Sequence, residues 1–103
     1  MIVKPGRRDI RHKLLITGDE LRELQRHALT ITEAFGLDRK IERYKGTRPL
    51  TLFRWDLDCL MDVIEYKLAD KRAYPDDTAP EYLALKRLGD RLHKEYESHY
   101  GEG

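Results

Sequence analysis

Residues 50–68, LTLFRWDLDCLMDVIEYKL, decide how the rest of the chain is read. Wound as a helix at about 100° per residue, they place Leu50, Phe53, Leu57, Leu60, Met61, Ile64 and Leu68 on one stripe. Leu52, Trp55, Cys59, Val63 and Tyr66 gather near the opposite side. A surface helix needs one apolar face, so the second stripe asks for its own explanation. Either the helix is sandwiched between two others and Trp55 is ordinary core, or Leu52, Trp55, Cys59, Val63 and Tyr66 form an exposed patch for a second copy or another helical protein. In that second case Trp55 and Tyr66 are aromatic anchors of the kind that dominate interface energetics.

The expected helix runs from about Pro49, tolerated in a first turn where its missing N–H costs nothing, to Asp70. Upstream, Thr17-Gly-Asp-Glu20 is a capping box, and Leu21, Leu24, Ala28, Ile31 and Phe35 continue it as a helical stripe stopped by Gly36. Asp38 caps a short helix, RKIERYK, closed by Gly46. Downstream, Tyr74-Pro-Asp-Asp77 is a turn and Thr78-Ala-Pro-Glu81 a second capping box. A last helix follows, with Tyr82, Leu85, Leu88, Gly89, Leu92, Tyr96 and His99 on one stripe. Gly89 costs roughly 1 kcal/mol of helix propensity there, and its missing side chain lets another helix come close. The pattern predicts an all-α fold: a small antiparallel three-helix bundle with an additional short helix and an extended basic N-terminal arm. The division is an arm over residues 1–16 and a single helical domain over 17–103, with residues 14–16 able to form a short extended lead into the first helix.

Composition narrows the function classes. Of 103 residues, 38% are charged and 40% hydrophobic, but the formal net charge is only +1, so no global field draws the chain to nucleic acid or an anionic membrane. Cys59 is the only cysteine, which excludes an internal disulfide and a cysteine-based zinc cage. Its acidic sequence neighbours discourage a thiolate, leaving Cys59 as a small apolar residue. No apolar run approaches a signal-peptide core or a membrane span, and the expected location is cytoplasmic.

Local charge is less even. Lys4, Arg7, Arg8, Arg11 and Lys13 face only Asp9 in the arm, and Arg39, Lys40, Arg43, Lys45, Arg48 and Arg54 make a basic elbow. Arg7, Arg8, Arg39, Lys40 and Arg43, with Tyr44 stacking on an unpaired base, are the candidate contacts for nucleic acid. On the central helix Asp58, Asp62 and Glu65 follow one another at spacings of four and three, so like charges face each other. They form either a solvated acidic edge or, joined by Glu20 and Glu23, a magnesium site. In these patterns the chain resembles the all-alpha nucleoside triphosphate pyrophosphatases, whose bundles set a Glu-x-x-Glu pair against a Glu-x-x-Asp pair around magnesium. Glu20-Leu-Arg-Glu23 looks like the first pair, whereas Asp62-Val-Ile-Glu65 has the second in reversed order across a longer gap. The resemblance implies magnesium-dependent hydrolysis at these acids.

The four histidines suggest little: no two stand at the i, i+4 spacing of a helical zinc site, although His99 follows Glu95 by one turn. His99 is expected on the core stripe and His12 solvated in the arm. The leading expectation is a non-enzymatic helical interaction module, without cofactor, self-associating through the second face of the central helix. Pyrophosphatase-like chemistry with magnesium and nucleic-acid binding stand as alternatives.

Overall fold

The computed structural model describes residues 10–28 and 37–100. Within them the chain is predominantly helical: strand β1 (His12–Leu14), helices α1 (Gly18–Arg26) and α2 (Leu37–Arg43), strand β2 (Leu50–Leu52), and helices α3 (Arg54–Ala69) and α4 (Pro80–Tyr100). The expected stripe residues Ile31 and Phe35, with Gly36, lie outside the described residues, as do Lys4, Arg7 and Arg8.

The largest departure from an all-helical reading is the start of the deciding stretch. Leu50, Thr51 and Leu52 are a strand, paired antiparallel with β1 in the register His12 to Leu52, Lys13 to Thr51 and Leu14 to Leu50. The reason is local. Leu-Thr-Leu alternates apolar and polar, so a strand buries both leucines on one side, where a helix would have sent them to opposite sides. The helix begins only when Asp56 accepts a 3.0 Å hydrogen bond from the Phe53 backbone N–H, holding Phe53 extended ahead of the first turn. From there the first stripe is as expected: Leu57, Leu60, Met61 and Ile64 are buried. Each fully buried leucine or isoleucine is worth about 1.5–3 kcal/mol.

The same pairing absorbs the end of the expected arm. His12 is buried and Ile16 is fully buried in the core, so from His12 onward the stretch is part of the folded body. Arg11 and Lys13, the bases that made it look solvated, occupy the alternate, outward positions.

α4 is the shared partner, packing against both α3 and α1. Ala84, Leu85, Leu88, Gly89 and Leu92 form its buried face. Gly89 sits against α3: a Cβ placed there would lie 3.0 Å from Ile64 Cγ2. The polar ends depart from simple capping. Thr17 is the extended residue before α1 but makes no side-chain cap bond, and Glu20, the other half of the expected capping box, turns to arginines on α4. The Thr78 hydroxyl donates to Asp76 at 2.6 Å instead of capping α4. Gln25 on α1 donates to the backbone oxygens of Ile41 (3.1 Å) and Tyr44 (2.8 Å), satisfying carbonyls at the end of α2. Gly46, with φ of +75°, closes the elbow where a side chain would run into Leu21 and the Ile16 carbonyl. Among the described residues, no helix is long and apolar enough to cross a membrane.

Candidate metal centre

The β1 register has a chemical consequence. Opposite fully buried Leu52, His12 turns inward, and its ring is only 1% exposed. A buried imidazole needs polar partners. Two come from the last turns of α4: His12 Nδ1 lies 2.7 Å from Glu95 Oε2, and His12 Nε2 lies 2.7 Å from the Tyr100 hydroxyl. Glu95 Oε2 is also 3.1 Å from His99 Nε2, one helical turn on. The His12 and His99 rings meet edge to face with centroids 4.8 Å apart. One ligand atom each from His12, Glu95 and His99 thus falls within 4.8 Å of the others, and among the described residues this is the one such group of three.

The elements enforce this arrangement. The i, i+4 spacing puts Glu95 and His99 on the same face of α4, and β1 supplies the third donor from the far end of the described chain. Without an ion, one consistent proton assignment has His12 Nδ1–H donating to the Glu95 carboxylate while Tyr100 donates to Nε2. To hold an ion, His12 would take the other tautomer, with the Nδ1 lone pair free for the metal and Nε2–H donating to the Tyr100 oxygen, the outer hydrogen bond that metal-bound histidines ordinarily make. Tetrahedral zinc with bonds of about 2.0–2.1 Å sets its donors roughly 3.3 Å apart. To hold such an ion, the His12–Glu95 contact would open by about half an ångström and the Glu95–His99 contact by less, while the two histidines, the widest pair of a group that spans 4.8 Å, would draw together. His99 is 39% exposed and Glu95 29%, so one side of the group faces water. Arg54 reaches the same end of α4, its guanidinium 5.0 Å from the centre of the Tyr100 ring.

A second polar cluster lies deeper. The Tyr74 hydroxyl donates to Glu23 at 2.7 Å, and His27 Nε2 donates to the Tyr74 oxygen at 2.7 Å. Arg26 joins at 3.2 Å from Glu23. Burial, reinforced by Lys67 and Arg26, holds the His27 pKa below its ordinary value, while burial and the bond to Glu23 push that of Tyr74 up. This is a satisfied core network of the kind that specifies a fold.

The remaining sequence candidates are dispersed. Glu20 is paired with Arg91 and, at 3.5 Å, with Arg87, and Glu23 is committed to Tyr74 and Arg26. Asp58, Asp62 and Glu65 are exposed on α3, and among the described residues the five acids do not form one group. On the second apolar face, Leu52 is withdrawn into the sheet and fully buried. Cys59 and Val63 are half-buried against the core. Trp55 is half-buried and stacks on Phe53 at 5.1 Å, and only Tyr66, 73% exposed, stands clear. Of the nucleic-acid candidates, Arg39 and Arg43 are exposed, whereas Lys40 lies 4.0 Å from buried Asp56. Tyr44 packs its ring on the core and uses its hydroxyl internally, accepting from Ile16 N–H and donating to the Arg48 carbonyl.

His12 and Tyr100 are the members of this candidate group that sequence reasoning missed, and His12 was expected in solvent. The available signal was the Glu95–His99 spacing; His12 between Arg11 and Lys13 carried none until its strand register was known. Against protein-family models, curated proteins and solved structures, the chain gives no match.

Proposed function

We propose that this protein binds one divalent transition-metal ion of the zinc class through His12 Nδ1, Glu95 and His99 Nε2. The convergence of these three donors within 4.8 Å, with one imidazole buried and fixed by Tyr100, carries the reading. Two imidazoles and one carboxylate suit zinc and its neighbours, while magnesium and calcium favour all-oxygen sites. Three protein ligands leave a fourth position for water or a small anion on the exposed side. Titration calorimetry with Zn2+ is expected to show one equivalent bound to the wild type. His99→Gln and Glu95→Gln should lose the saturable phase. Tyr100→Phe, which removes the outer hydrogen bond to His12, should weaken binding about 10- to 100-fold. A wild-type titration without a saturable phase, or one unchanged in His99→Gln, rules the site out.

A second reading is self-association through α3. It is favoured by the exposure of Tyr66 on the same helical stripe as half-buried Trp55, with the Lys67 ammonium 5.9 Å from the Tyr66 ring centre. Tyrosine and tryptophan are the side chains most enriched at interface hot spots.

A further inference from the structure

We infer that strand β1 is a metal-dependent clasp: occupation of the His12–Glu95–His99 site fastens the first strand to the end of α4, and emptying the site lets the strand lift away. This rests on the metal-binding reading above and adds what binding does to the fold.

Three observations carry it. First, β1 and β2 have three residues each and pair only with one another. A two-stranded ladder of that length has no independent stability, so side-chain anchoring decides whether β1 stays in place. Second, His12 is the one residue of β1 that is buried; Lys13 faces out and Leu14 is half-buried. Its polar partners, Glu95 and Tyr100, both sit in the last six residues of α4, where a helix end frays most readily. Third, the anchors that follow the strand act on the next residues. Arg91 donates to the Leu15 carbonyl at 2.7 Å, Ile16 N–H bonds the Tyr44 hydroxyl at 3.3 Å, and the Ile16 side chain is in the core. The chain is pinned from Leu15 onward independently of the metal group, whereas residues 12–14 are held by buried His12 and by half-buried Leu14 packed against the core beside it.

The consequence is thermodynamic. The site contains all three donors only while β1 is docked, because His12 leaves with the strand. A metal that binds the docked state alone shifts the docking equilibrium by a factor of one plus the ratio of free metal to its dissociation constant. Lifting β1 exposes the hydrogen-bonding edge of β2 and the buried faces of Leu50 and Leu52, so metal occupancy sets how often that edge is open.

Amide hydrogen exchange on the full chain, with and without Zn2+, tests this, alongside calorimetry on the same samples. At free zinc about 100 times the measured dissociation constant, exchange at residues 12–14 and 50–52 should slow about 100-fold. Without zinc, the same residues should exchange much faster than Leu57–Ile64 and Leu85–Leu92, which open only with the whole fold. His99→Gln removes a half-exposed ligand and leaves the His12–Glu95 contact, so it should fold normally and lose the zinc effect; His12→Ala should exchange fast at the ladder in either condition. Stoichiometric zinc binding without slowed exchange at the ladder overturns the clasp and leaves the metal site standing. Ladder exchange as slow as that of the core in zinc-free protein also overturns it, since β1 would then open only with the whole fold. Absence of binding removes the clasp together with the reading on which it rests.

Discussion

Tyr74 shows how one hydroxyl makes three costly burials acceptable. Its proton satisfies Glu23, its oxygen satisfies His27, and its ring carries the Arg26 guanidinium 5.5 Å from its centre. Leaving any member without its partner would cost about 1–3 kcal/mol. The network fixes a direction of pH dependence. His27 has a pKa below 6.5 when folded, chiefly because burial disfavours the imidazolium, and recovers about 6.5 when unfolded. As pH falls below that value the unfolded chain takes up the proton first, so its share of stability is complete above pH 6.5 and is lost toward the folded pKa. With a chelator present to exclude metal effects, urea unfolding from pH 7.5 to 5 is expected to show stability declining with acidity. His27→Gln, which keeps an N–H donor for Tyr74, should flatten that decline; an equal slope in both proteins contradicts the assignment. The one-turn spacing of Glu23 and His27 was legible beforehand; the network was not, since Tyr74 joins them only through tertiary packing, across up to 51 positions.

Among the elements, α3 was legible in its interior and misread at its start. Leu57, Leu60, Met61 and Ile64 have the period of a buried helical face whatever surrounds them, and they are buried. Leu50 and Leu52 fit the helical wheel equally well, and nothing local distinguishes them from a strand until β1 offers a ladder; tertiary pairing overrode the pattern there. Gly89 illustrates the opposite case, a residue whose role could be read in advance: its place within the α4 stripe foretold a close approach, and Ile64 is what approaches. Adding a Cβ gains about 1 kcal/mol of helix propensity but meets Ile64 Cγ2 at 3.0 Å, and a β-branched side chain in a helix has little rotamer freedom to yield. Gly89→Ala is therefore expected to destabilise the wild type slightly, by about 1 kcal/mol. In an Ile64→Ala background the clash is gone and the same change should be neutral or stabilising. A double-mutant cycle by denaturant unfolding measures the coupling, and a coupling energy near zero would contradict this contact.

At the scale of the molecule, α4 serves two neighbours with one broad face, and that is why a second apolar stripe on α3 is only partly spoken for. Cys59 and Val63 are drawn toward the core while Tyr66 is left in water. If α3 is an interface, light-scattering mass should correspond to a dimer for the wild type and a monomer for Trp55→Asp; monomers in both eliminate self-association through this face. The helical character of the whole could be read from periodicity because each stripe is local. The candidate metal group could not, because it joins the first strand to the last helix across 83 positions. That junction bears on how the fold is wired. With His12 and Tyr100 in hydrogen-bond contact, the described chain leaves one place and returns to it, so its path is a nearly closed circuit. In such a circuit a disturbance at the first strand and one at the end of the last helix are felt at the same place, however far apart they lie along the sequence.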